Sequence, residues 1–366
     1  MIQYTKIVNS LSSTVPFVGP ETLERKMDKI FDSRIGANES VFGPSKLALK
    51  AMKKELKNIW MYGDPENFDL KMMLSKIHNI SYKNIIVGEG IDNLLSYFVR
   101  LFVESGINVV TTDGAYPTFN YHVIGFGGTL HKVNFRNDYE DPELLINEVK
   151  KTKARVVYIS NPNNPMGTFQ EGAIIAEFVN LIPDYCIVCL DEAYSDFIDT
   201  NKIPKISIDK ENVIRMRTFS KAYGMAGGRC GYAIGHESVI ESFNKIRNHF
   251  GVNRVTQVGA MESLKDRNHL KNVLKKVEKS KQEIYRISLK NNLKPLKSFT
   301  NFVAIDCLSD ETFANSIMKE LLKKGIFVRK PLSYPQNRCI RVSVGNKKDM
   351  LNFERALSNV LSDLRK

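Results

Sequence analysis

Residues 217–232 read RTFSKAYGMAGGRCGY, and the lysine near their start decides how the rest of the chain is to be read. Lys221 is flanked by small and hydroxylated residues, leaves a strand-like run and enters a glycine-rich turn. That is the setting of a buried amine. Desolvation or a nearby cation lowers a lysine's pKa and leaves a nucleophilic neutral amine. Thr218 and Ser220 can donate to phosphate oxygens, and Arg229 can bind them as a planar fork. A Ser-Lys pair followed by an arginine is common, so the stretch gains meaning only from its surroundings.

Working outward, CLDEAYSDF ends an apolar run on Asp191. A lone buried carboxylate there is costly without a cationic partner. A protonated pyridine nitrogen would be such a partner, and Tyr194 could donate to an oxygen on the same ring. A carboxylate capping the next helix is the plainer alternative. ISNPNNPMGT, with two prolines, asparagines and a glycine, makes a rigid turn that presents the Asn164 amide. In VGEGIDNLLSYFVR, Gly90 and Ile91 open a helix whose free backbone amides suit a phosphate.

Between about residues 45 and 235, amphipathic helical stretches alternate with short apolar runs: NIIVGEG, INVVTTD, ARVVYISNP, CIVCLDEAY, NVIRMRTFS and CGYAIG. Such alternation predicts an α/β fold with a mostly parallel central sheet covered by helices on both faces. Several runs end in polar clusters, and ligands bind at the carboxyl ends of strands in open α/β sheets. After Leu264 the pattern becomes α+β. The basic stretch LKDRNHLKNVLKKVEKSK reads as one helix with a buried face, followed by strand-like FTNFVAIDC, GIFVRKP and CIRVSVG and a final helix from Lys347. The expected division is a large cofactor-binding domain over 45–264. The arm 1–44 and residues 265–366 then make up a small α+β domain.

Taken together and in this order, these elements resemble fold type I pyridoxal-phosphate enzymes, the aspartate-aminotransferase-like transferases. Within them the chain is similar to class I/II aminotransferases of the histidinol-phosphate aminotransferase group. The likeness runs from GANESVFGPSKLAL through YGDPE, AYPTFNY, NPNNPMG, DEAY and SKAYGMAGGRCGY to CIRVSVG. It implies pyridoxal 5′-phosphate as cofactor, held as a Schiff base on Lys221. Asp191 would pair with the pyridinium nitrogen, while Tyr194 and Asn164 would contact the ring oxygen. Thr218, Ser220, Arg229 and the amides of Gly90 and Ile91 would hold the phosphate, Asp92 beside them would belong to the cofactor-binding set, and Tyr116 would stack on the ring. The resemblance also implies a homodimer in which Tyr62 reaches the partner's site. Arg341, Arg329 and Asn38 would bind substrate. Lys221, Asp191 and Tyr194 are the catalytic candidates.

The chain departs from the family pattern in NPNNPMG, where a threonine often stands for Met166, and in GEGID. The stretch RNHFGVNR (247–254) is more polar and basic than the group's pattern. Arg247, Asn248, His249 and Asn253 are therefore candidates for a specificity role.

Composition narrows the partners. The 366 residues are 43% hydrophobic and 25% charged, which fits an ordinary folded protein of about two domains. No apolar run is long enough for a membrane span, and the N-terminus lacks a secretion signal, so the cytoplasm is expected. The net charge of +13 is spread along the chain without aromatic interleaving, which argues for solvated surface over nucleic-acid binding. Cys186 and Cys189 form a CxxC inside a strand-like run, where residues three apart face opposite ways, so two core cysteines are expected. The histidines at 78, 122, 131, 236 and 269 lack metal-ligand spacing, and no metal is expected.

The expected activity is amino transfer from an amino acid or amino alcohol phosphate to a 2-oxo acid. Histidinol phosphate with 2-oxoglutarate is the leading pair, and an aromatic or other amino acid is the alternative donor. A decarboxylase or racemase would use the same lysine, and a non-catalytic nucleic-acid-binding protein is the reading from another class.

Overall fold

The structure is a computed structural model describing residues 2–13 and 18–365. Its centre is a seven-stranded sheet: β1 (Ile85–Gly88), β2 (Asn108–Thr112), β3 (Thr129–Val133), β4 (Val156–Ser160), β5 (Ile187–Asp191), β6 (Val213–Thr218) and β7 (Gly231–Ile234). Across the sheet the order is β1-β7-β6-β5-β4-β2-β3. Only β7 runs against its neighbours, pairing antiparallel with both β1 and β6. All six apolar runs are strands of this sheet. The seventh strand, β3, is not an apolar run: its TLHKV is polar and half exposed because it forms the sheet edge.

Both faces of the sheet are covered, and the period of two along the strands decides which residue faces where. Val109, Val156, Tyr158, Cys189, Ile214 and Met216 pack on one face with α1 (Ile91–Phe102). Val110, Val157, Ile159, Val188 and Leu190 pack on the other with α2 (Pro142–Thr152) and α3 (Gly172–Leu181). Cys186 belongs to the second cluster and Cys189 to the first, so the CxxC pair is divided between two cores. Asp141 starts α2 by accepting the N–H groups of Glu143 and Leu144.

A second sheet of three antiparallel strands joins β8 (Lys294–Pro295), β9 (Phe302–Asp306) and β10 (Cys339–Ser343), with β9 in the middle. Val303, Ile305, Ile340 and Val342 form its core with helices Arg267–Lys290, Glu311–Lys323 and Lys347–Leu364. The basic stretch from Leu264 is two helices, contrary to the single helix expected. Arg254–Lys265 ends before Asp266, whose carboxylate accepts the His269 N–H and starts Arg267–Lys290. A capping aspartate satisfies the new helix's orphan donor, so the chain turns there. Leu264 consequently packs in the core with Leu70 and Phe219, while Val273 and Val277 serve the small sheet.

Near the N-terminus, Ser33–Arg34 pairs in parallel with Ile326–Phe327. The next residues run between the two sheets, which brings Asn38 to the edge where the chemistry gathers.

Candidate active site

The carboxyl ends of β1, β4, β5 and β6 open on one edge of the large sheet. The register sets Ser160 opposite Asp191 and Asp191 opposite Met216, so the turns that follow converge. The reversed strand adds to the same edge: β7 begins at Gly231, opposite Thr218 and Gly88, and Arg229 stands just before it.

Asp191 is 4% exposed. Its Oδ1 accepts the Ala193 N–H at 2.9 Å and its Oδ2 accepts the Tyr158 hydroxyl at 2.7 Å. Burial pushes the carboxyl up to about 6, against the pull of these hydrogen bonds and the nearby Lys221 charge. No cation among the described residues lies within ion-pairing distance of it. Tyr158 was not singled out in the sequence, because a tyrosine in an apolar run reads as core.

Lys221 is half-buried, and its Nζ donates to the Asn38 carbonyl at 3.2 Å and lies 5.6 Å from the centre of the Tyr194 ring. Asn38 Nδ2 in turn donates to the Tyr194 hydroxyl at 3.0 Å. Asn164 follows the turn after β4, which a buried acid braces from below. Glu140 accepts from Ser160 Oγ at 2.6 Å, Asn163 Nδ2 at 2.6 Å and Thr112 Oγ1 at 3.0 Å. Asn164 Oδ1 accepts from Arg341 Nη1 at 2.5 Å, and its Nδ2 keeps no partner among the described residues.

The opposite end of the site is an anion cradle. Gly90 has φ +83° and heads α1 with no side-chain cap, so the first N–H groups of that helix lack helical acceptors. A Cβ on Gly90 would come within 2.5 Å of Arg229 Nη2, so only glycine lets the guanidinium approach this turn. The Gly90 N–H itself is committed to the Gly88 carbonyl at 2.8 Å, which leaves the Ile91 N–H as the first donor facing outward. Arg229 Nη2 reaches Asp92 Oδ2 at 3.3 Å, and Asp92 Oδ1 accepts the Tyr116 hydroxyl at 2.7 Å. Thr218 Oγ1 accepts the Ser220 N–H at 3.0 Å and lies 3.4 Å from the Cys230 carbonyl, so this hydroxyl also shapes the turn before Lys221.

Two arginines stand side by side at the three-stranded sheet. Arg329 and Arg341 exchange backbone hydrogen bonds as an antiparallel bridge, which puts both side chains on one face. Arg341 meets only neutral acceptors, Asn164 Oδ1 and the Gly36 carbonyl, and its buried Nε has no partner among the described residues. Burial pulls its pKa down to about 10, and Arg329 adds to the pull. Arg329 Nη2 donates to the Val18 carbonyl at 2.7 Å.

Tyr62 lies apart from this cluster, 76% exposed and packed on Phe250 with ring centres 4.6 Å apart. The stretch 247–254 braces the turn that carries it. Arg247 donates to the Pro65 carbonyl and pairs with Glu66, and Arg254 donates to the Tyr62 carbonyl. Asn248 bonds Glu89, and Asn253 caps Arg254–Lys265.

A family model described as aminotransferase class I and II matches residues 34–357. Histidinol-phosphate aminotransferase of Caldicellulosiruptor saccharolyticus is 31% identical over 364 residues, spanning 98% of this chain and 100% of that protein. The same-named protein of Desulfotalea psychrophila is 30% identical, over 94% of this chain and 91% of its own length. Among solved structures, histidinol-phosphate aminotransferase from Sinorhizobium meliloti in complex with pyridoxal-5′-phosphate superposes with a TM-score of 0.97. It is 44% identical, and the match covers 100% of this chain and 99% of that one. Aspartate aminotransferase from Thermus thermophilus with maleate shares the fold, at a TM-score of 0.82 and 16% identity over 98% of this chain and 100% of that one.

Proposed function

The chain belongs to the class I and II aminotransferase family, a pyridoxal 5′-phosphate-dependent group with the aspartate-aminotransferase-like α/β fold, and from that premise we propose that it transfers the amino group of histidinol phosphate to a 2-oxo acid such as 2-oxoglutarate. The observation that carries this choice of donor is the pair Arg329 and Arg341, bridged backbone to backbone, with the Arg341 guanidinium lacking any carboxylate partner among the described residues. A phosphate monoester carries about −1.5 to −2 at neutral pH, against −1 for a carboxylate. Two adjacent guanidiniums suit the dianion, and their planar forks still accept the carboxylate of the second substrate.

The residues at the sheet edge fit the cofactor. The Gly90 turn is a cradle that a Cβ would fill, and Asp191 is a buried carboxylate with no ion-paired cation among the described residues. In this reading Arg229, Ser220, Thr218 and the Ile91 N–H would hold the phosphate, with Asp92 bracing the Arg229 guanidinium. Tyr116 would stack on the ring, Asp191 would pair with the ring nitrogen, Asn164 and Tyr194 would contact the ring oxygen, and Lys221 would make the covalent link through Nζ. When bound, pyridoxal 5′-phosphate supplies an electron sink that stabilises negative charge at the substrate's α carbon.

The chain's own residues do the rest. Lys221 Nζ takes the proton from the substrate Cα and later returns one, acting as general base and then acid. Asp191, kept anionic by the Tyr158 and Ala193 hydrogen bonds, holds a proton on the ring nitrogen by charge. Arg341, braced by Asn164, fixes the substrate's anionic end and so the direction of its Cα–H bond.

The active unit in this reading is a homodimer. Ile59, Trp60 and Tyr62 are 67%, 80% and 76% exposed and, with Phe250 beside them, form an apolar patch of the kind that interfaces cover. Tyr62 would then enter the partner's site. The cytoplasm is the fitting compartment: all five cysteines are free, and no helix among the described residues is long and apolar enough to cross a membrane.

The test is direct. Purified holoprotein given histidinol phosphate and 2-oxoglutarate should form glutamate, with kcat/KM well above that for phenylalanine or tyrosine as donor. Glutamate formed from the aromatic amino acids but not from histidinol phosphate would sink the donor assignment.

A further inference from the structure

Tyr194 is the last member of a hydrogen-bond chain that begins on the small sheet. Asn38 adopts the left-handed conformation, φ +57°, which asparagine tolerates, and is 2% exposed. Its backbone is pinned at several points. The carbonyl accepts from Lys221 Nζ at 3.2 Å and from Asn301 Nδ2 at 3.0 Å, and the N–H donates to Ser343 Oγ at 2.9 Å. Ser343 Oγ then donates to Asn38 Oδ1 at 2.9 Å.

The direction of this chain follows from counting hydrogens. A serine hydroxyl has one hydrogen and accepts elsewhere. Ser343 accepts the Asn38 N–H and gives its single hydrogen to Asn38 Oδ1. A reversed amide would make this buried serine accept twice and leave its hydrogen without that acceptor, so the amide is held with Oδ1 towards Ser343. The other end of the amide, Nδ2, can only donate, and it meets the Tyr194 oxygen at 3.0 Å. Tyr194 must therefore accept from Asn38, which leaves its own hydrogen to point elsewhere. Reversing the amide would set Oδ1 against Tyr194 and draw that hydrogen away from the site.

We propose that Ser343 and Asn38 are positioning residues that fix the polarity of the Tyr194 hydroxyl, so that its hydrogen is always available to the cofactor's ring oxygen. The proposal rests on the reading above that Tyr194 faces that oxygen. Ser343 lies two residues beyond Arg341 on β10, so the two side chains share a face of the strand. The strand that carries the substrate's arginine thereby also orients the tyrosine. The titratable groups facing Tyr194 are Lys221, whose Nζ stands over its ring, and Arg341 and Tyr116, both within electrostatic reach of its oxygen.

The experiment is a pH titration of the visible absorption of the holoprotein. A donor to the ring oxygen stabilises it as an anion and so favours loss of the proton it shares with the nitrogen of the Lys221 link; removing the donor raises the midpoint. Tyr194→Phe and Ser343→Ala should each move the midpoint up by about one pH unit, a roughly tenfold change in proton affinity. Ser343→Thr, which keeps the hydroxyl, should restore the wild-type value. The double variant should move no further than Tyr194→Phe alone, because the relay acts only through Tyr194. If Tyr194→Phe shifts the midpoint and Ser343→Ala leaves it unchanged, the relay is wrong while the reading of Tyr194 stands. If Tyr194→Phe itself shifts nothing, that reading falls and the relay with it. Should Ser343→Ala not fold, Asn38→Asp serves in its place. It keeps the shape but can only accept from Tyr194, so an unchanged midpoint there overturns the relay equally.

Discussion

The hydroxyl of Tyr158 donates to Oδ2 of Asp191 across adjacent strands, at 2.7 Å, while the Ala193 N–H occupies Oδ1. The carboxylate is thus fixed at both oxygens yet buried with no ion-paired cation among the described residues, and burial pushes its pKa up to about 6 from an ordinary 3.8. A raised carboxyl pKa means that the folded state binds more protons than the unfolded state between these values, so stability falls as pH rises through that window and stays lowered above it. Asp191→Asn removes the cost. The apoprotein variant should melt higher than wild-type apoprotein at pH 7, by about 1–3 kcal/mol, and the gain should vanish near pH 4. In the holoprotein the same substitution should slow turnover sharply. Calorimetry on both forms reads the two effects of the one carboxylate.

Lys221→Ala should lower turnover by about 10³-fold or more, since it removes the proposed base and acid together. Cofactor should remain bound through the phosphate cradle but become dialysable. Visible absorbance before and after dialysis, with steady-state rates, checks both halves.

The two arginines should separate by charge. Arg341→Ala should raise KM for both the amino donor and the 2-oxo acid by about 10- to 100-fold, the worth of a charged hydrogen-bond pair. Arg329→Ala should weaken the phosphate-bearing donor more than the 2-oxo acid. Equal losses on both substrates in the Arg329 variant would contradict a dianion site.

Glu192 is 1% exposed and held between Arg215, at 2.7 Å, and Arg217, at 2.9 Å. Burial would push its carboxyl up, but the two guanidiniums outweigh it and bring the pKa to about 2. With a folded pKa below the ordinary 4.5, the stabilisation is complete above pH 4.5 and is lost as pH falls towards 2. Glu192→Gln should cost about 3–5 kcal/mol at pH 7, because it leaves the buried Arg217 and the partly buried Arg215 without their carboxylate. Urea unfolding at pH 7 and at pH 3 should show that deficit shrinking in acid.

Trp60→Glu puts a charge in the exposed apolar patch and should shift the protein to monomers in sedimentation, with loss of activity. Tyr62→Ala and Lys221→Ala should each be impaired as pure proteins. Mixing and refolding the two should recover part of the activity, because one site of a mixed dimer holds both native residues. No recovery would place Tyr62 outside a shared site.

Much of the site was legible along the chain. Lys221, Asp191, Asn164 and Tyr194 each follow an apolar run by a few residues, and short-range pattern alone predicts that such positions meet at a strand's carboxyl end. The break at Asp266 was missed because apolar spacing continued across it, although an aspartate three residues before His269 is itself a capping signal. Glu140, Tyr158 and Ser343 carried no local mark. Each acts on a group brought near by the fold, and Ser343 reaches Asn38 across 305 residues.

By itself, then, the sequence determined the alternation of strands and helices, the order of the turns and the residue types that each turn presents. These depend on periodicity, turn chemistry and capping, all of which act within a few residues. Only the tertiary structure decided that Asp191 is buried without a cation, that Arg329 and Arg341 lie side by side, and that the Tyr194 hydroxyl is aimed from Ser343 through Asn38. Asp191 loses its water only when its strand is paired and covered, and the arginines meet only across a backbone bridge. Tyr194 joins Asn38 and Ser343 only once the two sheets have packed, so none of these relations is set by immediate neighbours in the sequence.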